Sequence, residues 1–201
     1  MNTDEEQINT DEIFVKCIAS YRNKRRMSNI QIVKLMPEEW QLYKQIRLEA
    51  LLMEPQAFSS RYENTLKKPD SDWQEGLIEV QAGEKSWLLF AKENDSIIGM
   101  IGAYRSEIAD VVVIVAVYVK KDKRGKGVAT ALMKAILAEV GRKGIFRKAQ
   151  LTVNTDQLSA VALYRHFGFQ IIKEKTGVMG NGNTYSEYIM EKKLSHDALG
   201  I

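Results

Sequence analysis

The chain predicts an α/β fold, with one mixed sheet of the α+β kind flanked by helices rather than a repeating βα array. Three observations carry that reading. The run Val111–Val119 is β-branched almost throughout and leads through a basic, glycine-bearing turn into an apolar segment, Val128–Val140. Element signals follow the order β-α-α-β-β-β-α-β-α-β-β, which neither alternates strictly nor separates strands from helices. All three prolines lie before residue 70, so nothing interrupts the second half.

Each element has its own justification. Ile30–Leu35 alternates and reads as a strand. Pro37-Glu38-Glu39 then opens a helix, with proline early and acids in the first turn. Trp40, Tyr43, Ile46, Arg47, Ala50 and Leu51 recur near helical spacing until Pro55. Asp70-Ser71-Asp72-Trp73 caps a second helix running through Val80. Trp87–Ala91 and Ile97–Tyr104 form a hairpin around Asn94-Asp95. Gly99 and Gly102 inside the second strand predict a bulge or a close approach.

Val111–Val119 is expected to be covered on both faces. Val128–Val140 has so narrow a polar face that it is expected to be largely buried. Gln150–Val153 is a further strand. Ser159–Phe167 is a helix with Ala160, Leu163, Tyr164 and Phe167 on one face and Gly168 as its stop. Phe169–Lys175 and Tyr185–Lys193 close the chain as a hairpin around the glycine-rich loop Gly177–Asn183.

Composition bounds the function. The chain has 201 residues, 45% hydrophobic and 27% charged, enough for one domain with its own core. A single cysteine, Cys17, excludes a disulfide framework, and two histidines, His166 and His196, leave little for a metal site, so none is expected. The net charge of +3 does not by itself point to nucleic acid. The longest apolar run is too short to span a bilayer, so no membrane partner is expected. The acidic, polar start lacks a secretory pattern, and the expected compartment is the cytoplasm.

Residues 1–28 differ from the rest and read as an extension, with a short amphipathic helix from about Asp11 to Tyr21. Met27 offers an alternative natural start. The Arg22–Arg26 cluster reads as solvated linker, because no aromatic platform accompanies it. The domain is placed at 29–195, followed by a tail at 196–201.

The stretch Arg124-Gly125-Lys126-Gly127-Val128-Ala129 carries the chemistry. It lies between a strand and the start of a helix, whose first four amides have no internal partner. Glycines let that backbone turn tightly and approach a ligand closely. The amides, the helix dipole, Arg124 and Lys126 all favour an anion at one point. The P-loop pattern GxxxxGK[ST] is absent, and the dinucleotide pattern GxGxxG fails at Thr130.

The stretch does fit R/Q-x-x-G-x-G/A, with Arg124, Gly127 and Ala129 at the defining places. It resembles the acyl-CoA pyrophosphate loop of the GNAT superfamily of N-acyltransferases. A second, independent match is Leu151–Asn154 followed by Ala160–Phe169, which resembles the family's strand–helix segment ending in A-x-x-L-Y-x-x-x-G-F. The resemblance covers roughly Ile30–Leu194 and leaves residues 1–28 outside. Two departures, Lys121 for a common proline and Gln157 for a common asparagine, do not touch the loop amides.

The resemblance implies a GNAT-like fold: a mostly antiparallel sheet of six or seven strands, a splayed parallel pair, and about four flanking helices. It implies acetyl-CoA as cofactor, lying where strands 111–119 and 150–153 splay. The pantetheine arm would pair with backbone at Val117, Tyr118 and Val119. The pyrophosphate would rest on amides of Arg124, Gly125, Lys126, Gly127, Val128, Ala129 and Thr130. Asn154, Ser159, Ala160, Leu163 and Tyr164 would line the other side. In this scheme the Val119 amide stabilises the oxyanion and Tyr164 protonates the leaving thiolate.

An amine acceptor with a pKa of about 10.4 must first lose a proton. Some relatives carry a glutamate for this on the central strand, where Val115 and Val117 stand here. Glu49, Glu107, Asp110 and Glu187 are the carboxylate candidates, with a water chain as alternative. The acceptor pocket would be built by Arg47–Tyr62 and Gly177–Tyr188, with Trp40, Tyr43, Phe58, Tyr62, Tyr185 and Tyr188 as aromatic walls. The first segment also resembles a subgroup of bacterial small-molecule acetyltransferases.

The expected activity is acetyl transfer to the primary amine of a small or amino-acid-like molecule, by a monomer or homodimer. Acetylation of a protein N-terminus or lysine is the alternative, and it predicts an open groove where a small acceptor predicts a closed pocket. A non-catalytic CoA-binding module would keep the loop without needing Tyr164. A nucleic-acid reading through Lys120–Lys126 is disfavoured, because those charges suit the phosphates of CoA.

Overall fold

The computed structural model describes residues 30–194. In chain order the elements are β1 (Ile30–Val33), α1 (Trp40–Met53), α2 (Tyr62–Leu66), α3 (Asp70–Ala82), β2 (Ser86–Glu93), β3 (Ser96–Arg105), β4 (Val111–Val119), α4 (Val128–Gly141), β5 (Lys148–Asn154), α5 (Leu158–His166), β6 (Gln170–Val178) and β7 (Thr184–Lys193). Single 3-10 turns stand at Pro37–Glu39, Pro55–Ala57 and Lys121–Lys123. The extension 1–28, its short helix, the Arg22–Arg26 cluster and the tail 196–201 lie outside the described residues.

One seven-stranded sheet runs β1-β2-β3-β4-β5-β7-β6. Every neighbouring pair is antiparallel except β4 and β5. The expected mixed sheet with one parallel pair is therefore present, with four longer helices and the short α2. That parallel pair is brief: Val111, Val112 and Val113 pair with Lys148, Ala149 and Gln150, and the ladder stops there. β5 continues to Asn154 paired to β7 alone. The two central strands thus part over their C-terminal halves.

Each face of the sheet has its own core. On one, Ala149, Leu151 and Val153 of β5 pack with Val128, Leu132, Met133, Ile136 and Val140 of α4 and with Tyr164 of α5. On the other, Leu88 and Phe90 of β2 and Tyr118 of β4 pack with Ile46, Ala50 and Leu51 of α1 and Leu77 of α3. Tyr43 meets Trp73 and Phe90 edge to face, with ring centroids 5.3 and 5.7 Å apart.

Three expectations are corrected. β4 is not covered along its whole length: Val113, Ala116 and Val117 are half-buried and Val115 is 37% exposed. The cause is the departure of β5, which removes a neighbour from the middle of an apolar strand. α4 buries one face, and its remaining apolar residues, such as Ala131 and Leu137, are only partly covered. The first helix begins at Trp40, because Pro37–Glu39 forms a tighter turn that the Glu39 carboxylate closes by accepting from the Met36 amide at 2.8 Å.

The paired glycines in β3 have separate reasons. Across from β3 the register slips, so Ile101 faces two residues, Ala116 and Val117. Ala116 sits at φ 54°, a left-handed conformation that costs a non-glycine residue about 1–3 kcal/mol. Gly99 supplies a close approach, since a Cβ there would lie 2.8 Å from the Tyr118 carbonyl and 3.2 Å from Leu132 Cδ1. The bulge and the close contact both fall where β4 leaves β5. Gly99→Ala is expected to lower unfolding stability by about 1–3 kcal/mol in urea melts, the range for overpacking. Unchanged stability would show that β4 and α4 yield freely at this point.

Candidate active site

The site begins with which way the backbone of β4 points. Gly99 and Val119 are register partners, and the Lys120 amide donates to the Ile98 carbonyl at 2.9 Å. In an antiparallel ladder this makes Gly99–Val119 a non-hydrogen-bonded pair. The Val119 N–H and C=O therefore turn away from β3, toward the space β5 has vacated. The Val119 carbonyl accepts there from Arg124 Nε at 3.0 Å, and its amide has no ladder partner. Val117, two residues earlier, shares that orientation by alternation, while Tyr118 points into the opposite core.

The loop after β4 turns at Gly125 (φ 72°) and Gly127 (φ 80°). Both are left-handed, and Gly127 is the residue preceding α4. No side chain caps this helix. Its first internal bond is the Ala131 amide to the Gly127 carbonyl, at 2.9 Å. Among the described residues nothing accepts from the amides of Gly125, Lys126, Gly127, Val128, Ala129 or Thr130. Unpaired donors at a helix start form a seat for an oxyanion.

The basic side chains around that seat are mostly engaged. Arg124 Nη2 donates to Glu54 Oε1 at 2.8 Å, and Lys126 Nζ donates to the Asp122 carbonyl at 2.8 Å. Lys120 pairs with Glu49 at 3.0 Å, and Lys123 pairs with Glu93. Lys121 and Lys126 have no carboxylate partner among the described residues. The affinity of the seat for an anion thus rests on amides and net positive field, with Arg124 tied to β4 and to the end of α1.

On the opposite side of the gap, Asn154 ends β5. It is buried: Nδ2 donates to the Gln56 carbonyl at 3.4 Å, and Oδ1 accepts from the Asp156 amide at 2.9 Å. Its side chain shapes the turn into α5. Ser159 is exposed there, and Ala160 and Leu163 are partly covered. Tyr164 is buried, with its ring edge-on to Phe169 at 6.2 Å. Burial pushes its phenol well above the ordinary value, and its hydroxyl has no hydrogen-bond partner among the described residues.

The four carboxylate candidates separate cleanly. Glu107 and Asp110 lie in the β3–β4 connection, at the end of β4 remote from the loop. Glu49 is occupied on both oxygens, by the Tyr118 hydroxyl at 3.1 Å and Lys120 at 3.0 Å. Burial, then the Glu49 charge, raises the Tyr118 phenol. Glu187 stands opposite Asn154 on β7, 7% exposed, with Lys175 Nζ at 3.6 Å. Gly177 leaves room for it, since a Cβ there would overlap the Glu187 carboxylate.

The two segments expected to frame an acceptor meet. The Gly180 amide in the β6–β7 loop donates to the Phe58 carbonyl at 2.6 Å. A Cβ at Gly180 would collide with the Ser60 carbonyl. The aromatic residues divide: Tyr43 and Phe58 belong to the α1 core, Tyr188 packs against the α4 core, and the Tyr185 hydroxyl accepts from Asn181 Nδ2 at 2.9 Å. Sequence reasoning missed Glu54 and Gln56, the residues that hold Arg124 and Asn154. One signal was available for Glu54: an acid at a helix C-terminus opposes the dipole and asks for a cation elsewhere. Nothing in the sequence marked the Gln56 carbonyl.

Comparison with known proteins agrees with this geometry. A family model described as the acetyltransferase (GNAT) family matches residues 45–169. No curated protein matches the chain in sequence. Among solved structures, a GNAT-family acetyltransferase from Streptococcus pneumoniae superposes with TM-score 0.73 at 19% identity, covering 83% of this chain and 99% of its own. YncA, a putative acetyltransferase from Salmonella typhimurium solved with acetyl-CoA, gives 0.71 at 18%, covering 87% and 99%. An acetyl transferase from Salmonella typhimurium that modifies the N-terminal serine of ribosomal protein L7/L12 gives 0.66 at 11%, covering 85% and 98%. The parted strands, the uncapped glycine loop and a family match over more than half the residues lead to one conclusion: this chain belongs to the GNAT family, and it is an acyltransferase of the acetyl-CoA-dependent N-acetyltransferase class.

Proposed function

We propose that the protein moves an acetyl group from acetyl-CoA to the primary amine of a small or amino-acid-like acceptor by direct attack. The observation that carries this is the wedge between β4 and β5, which the Val119 amide faces and which the unpaired amides of Gly125–Thr130 adjoin. The pantetheine arm would complete the ladder that β5 abandons at Val117 and Val119. The pyrophosphate would take the uncapped start of α4. As the amine attacks, negative charge grows on the thioester oxygen, and a preoriented amide at Val119 stabilises it without reorganisation.

The carbon–sulfur bond then breaks, and the thiolate takes a proton. We assign that proton to Tyr164: burial keeps its phenol protonated throughout the working pH range, and it also makes the phenol a weaker acid than the thiol it assists. Glu187 is the carboxylate best placed to take the proton from the amine, directly or through water: it is buried, near the open end of β5, and adjoins the loop that meets the acceptor wall. A small acceptor is favoured over a protein chain by the Gly180–Phe58 contact, which bridges the two walls that a polypeptide would need apart. No helix among the described residues is long and apolar enough to cross a membrane.

Two measurements test the reading. Calorimetry should detect CoA binding, and Gly127→Val should weaken it more than tenfold, since a β-branched residue resists the left-handed turn. Wild-type affinity in that variant would remove the loop as the pyrophosphate seat. Tyr164→Phe should lower kcat by roughly 100-fold with CoA affinity unchanged, the scale expected for a lost general acid. Because the folded phenol titrates above its ordinary value, wild-type activity should not fall as pH rises through about 10 on account of Tyr164. Full turnover in the phenylalanine variant would assign the proton to solvent.

A further inference from the structure

α1 carries one charged group that the fold answers only in part. The Arg47 guanidinium lies 4.9 Å from the Phe58 ring centre and donates from Nη2 to Ser60 Oγ at a long 3.2 Å. Its Nη1 is buried and has no acceptor. Among the described residues no carboxylate pairs with Arg47, whereas Arg124 and Arg142 each have one. The other buried orphan donors, Trp73 Nε1 and Trp87 Nε1, are neutral indoles. Burial draws the Arg47 pKa down, and the neighbouring Tyr43 phenol only partly opposes it. Arg47 as a whole is half-buried, yet an arginine stays charged in a protein and its buried Nη1 calls for an acceptor.

Its position says what that partner is. Arg47 lies seven residues before Glu54, the residue that follows α1, about 10 Å along the helix axis. Glu54 holds Arg124 beside the anion seat. The residues touching Arg47, Phe58 and Ser60, are the ones the β6–β7 loop meets at Gly180. The unpaired group therefore lies in the wall of the acceptor side. A guanidinium with one free nitrogen beside a hydroxyl offers the planar pair of donors that a carboxylate accepts.

We propose that Arg47 Nη1, beside Ser60 Oγ, receives the carboxylate of the acceptor, so that the substrate is an amine that also carries a carboxylate. This rests on the acetyl-transfer reading and deepens it. Entry needs only Ser60 and the Arg47 side chain to shift, since the Arg47–Ser60 bond is long, while Gln56 and Phe58 stay anchored to Asn154 and to the α1 core. Arg47 is a specificity-determining residue in this scheme and takes no part in the proton transfers.

The experiment uses the full chain with saturating acetyl-CoA and follows thiol release on matched amines: the common free α-amino acids, their carboxamides, the corresponding decarboxylated amines, and phosphomonoester amines. The expected result is a kcat/KM at least tenfold higher for a carboxylate-bearing amine than for its carboxamide, mainly through KM. Arg47→Gln should erase that ratio and Arg47→Lys should restore part of it. Equal rates for acid and carboxamide, or preference for the phosphomonoester, overturn the proposal while leaving acetyl transfer standing. If Arg47→Gln does not fold, the wild-type ratio decides alone. If CoA binds but no amine is acetylated, the transfer reading fails instead. The Arg47 site is then judged by whether free α-amino acids, and not their carboxamides, raise the unfolding temperature of the CoA-loaded protein; no difference overturns it.

Discussion

The structure depends on a pairing that stops. β4 and β5 share three register pairs and then part, although both strands continue. Parallel strands buried between helices ordinarily keep their ladder, because an unpaired amide inside a protein is costly. Here the termination leaves backbone donors of β4 facing a gap, and the remaining features follow from it. The bulge at Ala116 turns the strand where it loses its neighbour, and Gly99 lets β3 and α4 close behind it. The helix that follows starts uncapped beside the same gap.

The second determinant is how the two sides of the gap are tied together. Arg124 joins the end of β4 to Glu54, and the Gln56 carbonyl receives Asn154 from the end of β5. The short segment after α1 thus touches both parted strands, and at Phe58 it also meets the closing hairpin. Cofactor seat and acceptor wall share a single strap of chain. A residue so placed as Glu54 belongs to no recognisable motif, yet it sets where the loop arginine points.

Much of this was legible in the chain. The nine-residue run at Val111, the glycines at 125 and 127 and the Tyr164–Phe169 segment located the strand, the loop and the second helix, because each depends on local geometry that only certain residues permit. The seven strands of a mixed sheet followed from the order of elements, and the parallel pair from the family resemblance. What could not be read was coverage and pairing. An apolar strand looks the same whether its neighbour stays or leaves, so the exposure of Val115 was hidden. Contacts such as Arg124–Glu54 and Arg47–Ser60 join distant positions through tertiary approach, and no periodicity encodes them.

β6 closes one border of the sheet and is exposed along almost its whole length, including Ile171, Ile172 and Val178. A border strand with open backbone groups invites another chain to extend the ladder, the first step of aggregation. Lys173, Glu174 and Lys175 stand in the middle of this one. Any strand that docked there would have to strip water from three charges in a row. Among the described residues no element covers this border, so the solvation of those charges is what opposes further growth of the sheet there.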